Sequence, residues 1–150
     1  MRYKMLIAAV AVSILFSACE KPQKDIDAEK TAADIVAAIQ FEDKLELIDD
    51  DIAEAIYGFD EENVDSSATY IGSGATAEEV TVVEFERITE ADKLLFEKRI
   101  NEQIKNYETY IPGEIEKLNN AVILYSGNIA VLCVAADSDN AKAVIENLIF

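Results

Sequence analysis

The stretch "AVILYSGNIAVLCVAAD", residues 121–137, constrains the fold more than any other. Two runs of β-branched and apolar residues flank Gly127-Asn128, a pair that matches a two-residue hairpin turn with glycine first. That register sets Leu124 opposite Val131 and Val122 opposite Cys133. The second run is apolar at consecutive positions rather than alternate ones. A strand that is apolar on both faces belongs in the interior of a sheet.

Other elements follow from the change of hydrophobic period along the chain. In "TAADIVAAIQ", Ala32, Ile35, Val36 and Ile39 recur at helical spacing, and Thr31 with Asp34 has capping-box spacing. "DDDIAEAIYG" predicts a shorter helix with Ile48, Ile52, Ala55 and Ile56 as its stripe. Its acidic run sits at the positive helix end, and Gly58 is a natural stop. The period then falls to two in "SSATYIGSG" and "EEVTVVEFERI", with Gly72-Ser73-Gly74 as a turn between them. On the second of these strands Thr81, Val83 and Phe85 share a face.

"TEADKLLFEKRINEQIKNYETYIP" predicts the longest helix, with Thr89 and Asp92 at capping spacing and Pro112-Gly113 as its end. Phe96, Ile100, Ile104, Tyr107 and Ile111 form its seam. "DNAKAVIENLIF" closes the chain as a helix capped by Asp137, Ser138 or Asp139. The order α-α-β-β-α-β-β-α predicts an α+β fold. Its sheet is antiparallel, of about four strands in two hairpins, with helices packed on one face. Pairing of the hairpins through the buried last strand would close the core.

A chain of 150 residues is one domain. Its 30 acidic against 13 basic side chains leave a net charge of −17, which repels nucleic acid and anionic lipid surfaces.

The N-terminus carries a different signal. "MRYK" is basic, and Met5–Phe16 is an unbroken apolar run, shorter than the about 20 residues a spanning helix needs. It has the pattern of a signal-peptide core. Ser17-Ala18 before Cys19 resembles the lipobox of bacterial lipoproteins. The resemblance implies cleavage before Cys19, with diacylglycerol on its thiol. Phe16 departs from the usual leucine, yet fits a conventional small-residue cleavage site worse. The expected organisation is a signal peptide over residues 1–18, a lipidated cysteine with a polar tether over 19–30, and one domain over 31–150.

Catalytic signatures are sparse. There is no histidine, hence no Ser-His-Asp or Cys-His machinery. Cys133 lies mid-strand among apolar neighbours, which predicts a buried, inert thiol. A Cys19–Cys133 bridge is open by count, but acylation and burial explain the two cysteines separately. "DSDNAKAVIENL" opens like a calcium loop, yet Lys142 replaces its glycine and Leu148 its final glutamate. Neither a metal nor a cofactor is expected. Asp49-Asp50-Asp51 and Asp60-Glu61-Glu62 read as helix-end and loop charges. Tyr107, Tyr110 and Pro112, at the end of the long helix, are the candidate partner-binding ledge.

Several features together resemble a family of Gram-positive bacterial lipoproteins that carry a single domain of unknown function, family 4358. They are the Tyr57-Gly58 helix end, the "AEEVTVVEFE" strand, "YETYIP" at Tyr107–Pro112 and the "GNIAVLCVAAD" strand. The resemblance spans about residues 31–150. It implies a fold and an address and supplies no activity.

The expectation is therefore a non-enzymatic binding or interaction module, lipid-anchored at the outer face of the bacterial cytoplasmic membrane. Its partner would be a protein or other envelope component. A hydrolase using carboxylates or a Ser-Lys pair, in a concave pocket of clustered Asp and Glu, is the first alternative. An accessory subunit of an export or transport complex is the second.

Overall fold

A computed structural model describes residues 26–150. The apolar N-terminal segment and Cys19 lie outside the described residues, as does the first part of the expected tether. The elements run α1 (Ala28–Ala38), β1 (Glu46–Leu47), α2 (Asp50–Tyr57), β2 (Val64–Ile71), β3 (Glu79–Phe85), α3 (Glu90–Tyr110), α4 (Ile115–Asn119), β4 (Val122–Ser126), β5 (Ile129–Val134) and α5 (Ser138–Ile149). The strands form one antiparallel sheet in the order β1-β2-β3-β5-β4.

The α+β class, the two hairpins and their union are those expected from the sequence. β4 and β5 pair with Val122 opposite Cys133 and Leu124 opposite Val131. β5 is buried at every position and pairs with β3, which joins the hairpins. β1, which has only two residues, and the single-turn α4 are additions that periodicity alone is too short to detect.

The helices, expected on one face, cover both. On one side Ala32 and Ile35 of α1 and Ala141 and Ile145 of α5 pack over Val80, Val82, Val131 and Cys133. On the other, Tyr57 of α2, Phe96 of α3 and Leu118 of α4 pack over Val83, Phe85, Leu132 and Val134. The reason lies in β3 and β5, whose alternate residues are apolar on both sides, so either face left bare would expose a hydrophobic layer.

Local signals set the helix ends. Thr89 and Asp92 form a reciprocal capping box on α3. Gly58 closes α2 at φ 74°, a left-handed conformation that suits glycine. α1 begins at Ala28, a turn ahead of the Thr31 start, because Asp27 accepts from the Lys30 N–H as its cap. Ile26 and Ala28 are already buried, so the packed body reaches further towards the N-terminus than the apolar stripe alone suggests. No helix among the described residues is long and apolar enough to cross a membrane.

Candidate functional site

Glu78, just before β3, and Glu79, its first residue, are each only 1% exposed. Consecutive strand residues point to opposite faces, so the two carboxylates enter the two layers of the protein and meet different partners.

Glu79 lies under α3. Arg99 grips it from that helix, with Nε 3.0 Å and Nη2 2.6 Å from Oε2. The Tyr57 hydroxyl donates to its Oε1. Thr81 Oγ1 stands 2.9 Å from that hydroxyl and 3.1 Å from Thr69 Oγ1. Burial pushes the Tyr57 phenol well above its ordinary pKa, and the Glu79 charge adds to this. Burial opposes the charged Arg99, but the Glu79 carboxylate, joined by Tyr57, outweighs it and raises the guanidinium pKa. The arrangement is a sealed ion pair that ties α2 and α3 to the sheet.

Glu78 faces the other way. Its Oε2 accepts from the backbone N–H groups of Glu42 at 2.8 Å and Asp43 at 2.9 Å. Its Oε1 has no hydrogen-bond partner and lies 3.9 Å from Lys117 Nζ. That ammonium is 2.8 Å from Glu42 and 3.2 Å from Glu114. Glu114 in turn accepts from the Ala77 N–H. Although burial pulls the Lys117 pKa down, Glu42, Glu114 and Glu78 more than reverse this and hold the amine protonated. A lysine held this way is no base for a Ser-Lys pair.

The same end of the sheet carries the loop from Gly72 to Ala77. Asp43 latches it by accepting from Ser73 N and Oγ at 2.7 and 2.6 Å. A Cβ on Gly72 would come 2.8 Å from Asp43 Oδ2, so a larger residue there would have to displace the Asp43 carboxylate.

The structure separates the three residues of the expected ledge. Tyr107 is partly buried and donates to the Thr76 carbonyl at 2.5 Å, as a strut for the loop. Tyr110 is 85% exposed, next to the exposed Ile111. Pro112 opens the short 3₁₀ turn that ends α3. Tyr110 is thus the one residue of the three that projects an aromatic ring from the surface.

A second feature is concave. Beside β2, a groove of about 260 Å³ is lined by Asp50, Asp51 and Glu54 of α2, together with Glu61, Asp65 and Ser67. Glu61 hydrogen-bonds Glu54 and repels its charge, which raises the Glu54 pKa. Asp50, Asp51 and Glu61 read from the sequence as helix-end and loop charges; the topology assembles them with Glu54 and Asp65 beside β2. No group of His, Cys, Asp or Glu among the described residues is arranged to hold a metal ion.

Sequence reasoning passed over Glu78, Glu79, Arg99 and Lys117. The signal was present in "AEEVTVVEFE": a strand apolar on both faces drives any charge at its start into both layers, where each needs a partner.

Comparison with known families finds one match. The model described as a domain of unknown function, DUF4358, covers residues 37–135. No curated protein and no solved structure matches the chain.

Proposed function

The chain belongs to the DUF4358 family, and on that premise we propose that it is a binding module acting by contact, held at the outer face of the cytoplasmic membrane by a lipid on Cys19. Its partner would be a protein or other envelope component. The observation that carries the contact role is how the buried carboxylates are used. Glu78, Glu79, Asp92 and Glu114 each accept from backbone amides or pair with a cation of their own chain. They hold the fold and leave recognition to the surface, where Tyr110 and the acidic groove are displayed. The address rests on the basic start, apolar run and Ser17-Ala18-Cys19 of the sequence.

The groove also gives the hydrolase alternative its specific observation, because clustered carboxylates line a concave site and one has a raised pKa. Glu61 is solvent-exposed and Glu54 only half-buried, however. An acid kept protonated by burial, as a glycosidase uses, has a drier setting. Contact is therefore the better reading.

A photoreactive phenylalanine analogue placed in turn at positions 65, 110 and 142 of the anchored chain in intact cells tests it. Discrete adducts from 65 or 110, and none from 142, are expected; no adduct from either would refute the binding role. Turnover of a chromogenic glycoside or ester, lost in Glu54→Gln, would favour the hydrolase. Palmitate label entering the wild type but not Cys19→Ala is expected for the anchor, and equal labelling would sink it.

A further inference from the structure

The groove beside β2 is more than an acidic hollow, because its floor is an unfinished sheet edge. β1 pairs only through Glu46 with Ile71 and Leu47 with Tyr70. The Ile48 N–H then donates to the Thr69 carbonyl at 3.0 Å, and the ladder ends there. Thr69 therefore directs its backbone groups outward, and alternation does the same for Ser67. Among the described residues no strand pairs with β2 on that side over Val64–Ala68. An unpaired edge of this kind is a template for a further strand.

Two details set what can dock. Register along β2 is regular from Ser66 onward, with the irregularity confined to Val64/Ser66, so the regular open stretch, Ser66–Ala68, is about 10 Å long at the usual strand rise. The surroundings are of one charge: Asp50, Asp51 and Glu54 on α2, and Asp65 and Glu61 on the floor side. The Glu54–Glu61 repulsion is one that an incoming cation would relieve. Leu47, 47% exposed, stands where the edge begins and offers an apolar contact to one face of an added strand.

We propose that the free edge of β2 captures an extended, basic peptide segment of a partner protein, which adds as a sixth strand next to Ser66–Ala68. Backbone hydrogen bonds supply the docking, and the acidic walls select lysine- or arginine-bearing partners. A second copy of this chain is disfavoured, since it would bring its own Asp65 and a net charge of −17 to the same edge. The proposal rests on the binding-module reading and names the partner's chemistry.

Purified full-length chain in detergent is mixed with three synthetic peptides: alternating lysine–valine, the same peptide N-methylated at every second residue, and alternating glutamate–valine. Amide hydrogen exchange and fluorescence anisotropy are measured. The lysine–valine peptide is expected to slow exchange at Ser67, whose N–H points to the open side. The N-methylated and acidic peptides should leave it unchanged. The variant Glu54→Lys/Asp65→Lys should weaken binding about tenfold, and because the peptide series uses the wild-type chain, the test survives misfolding of that variant.

Equal binding of the N-methylated peptide would reduce the effect to charge alone and overturn the proposal. So would protection appearing around Tyr110 instead. Protection of Ser67 without peptide, lost in Lys21→Glu/Lys24→Glu, would assign the edge to the chain's own N-terminal segment and equally overturn it. Failure of all peptides while position 65 or 110 still gives adducts in cells removes the edge mode and keeps the binding role. Failure of both removes both.

Discussion

Arg99 Nη2 lies 2.6 Å from Glu79 Oε2, between side chains that are 11% and 2% exposed. The pair joins the middle of α3 to the first residue of β3. A buried pair contributes little net stability beyond what apolar packing would supply, but breaking it strands a charge. Arg99→Met is expected to cost about 3–5 kcal/mol in urea denaturation. Arg99→Lys should cost less, since it keeps the charge and loses the two-pronged geometry. The paired change Glu79→Gln with Arg99→Met should recover part of the loss, because no buried charge is left alone. Equal stability of Arg99→Met and wild type would show that the pair is not what holds α3.

Tyr107 and Tyr110 are three residues apart and should behave differently. Tyr107→Phe removes the donor to the Thr76 carbonyl, with an expected loss of about 1 kcal/mol and faster amide exchange through residues 72–77. Tyr110→Ala removes an exposed ring and should change stability by less than about 0.5 kcal/mol. A larger cost for Tyr110→Ala than for Tyr107→Phe would reverse the assignment of strut and surface residue.

What the sequence discloses follows the range of the interactions. The Gly127-Asn128 turn sets the β4–β5 register locally, so Val122 could be placed against Cys133 in advance. The Thr89–Asp92 box and the Gly58 stop are equally local. The cover on both faces was encoded in β3, but reading it required treating "EVTVVEF" as buried on both sides rather than as an alternating strand. The ion networks are nonlocal: Lys117 and Glu42 are far apart in sequence, and only the sheet end joins them. The acidic groove arises the same way, from α2 and β2 lying side by side.

Gly58 offers a clean measure of backbone cost. Its φ is 74°, and a Cβ there would meet nothing within 4 Å. Gly58→Ala should therefore lose about 1–2 kcal/mol from conformation alone, while Gly58→Asn should lose less, because asparagine tolerates the left-handed region. Thermal denaturation of both variants checks this, and a fully neutral alanine would show that the α2 end relaxes to another cap.

Cys133 links the core to alkaline pH. Its thiol is fully buried in β5, and burial, with a smaller contribution from the Glu78 charge, raises its pKa from 9.0 to about 12. The native state keeps this proton where the unfolded chain has released it. Stability from this group is therefore complete below pH 9 and is lost as pH climbs towards the folded pKa, by about 1.4 kcal/mol per pH unit. Tyr57, raised well above 10.0, adds a loss in the same direction that begins one unit higher. In a Cys19→Ser background, urea midpoints should be flat from pH 7 to 9 and then fall. Cys133→Ala should remove the slope between pH 9 and 10 and retain the one above it, at a cost of about 1 kcal/mol at neutral pH. The same background predicts that a thiol reagent labels Cys133 only as fast as the chain unfolds. Rapid labelling of the native protein at pH 8, or a slope that persists unchanged without the thiol, would contradict the buried-thiol account.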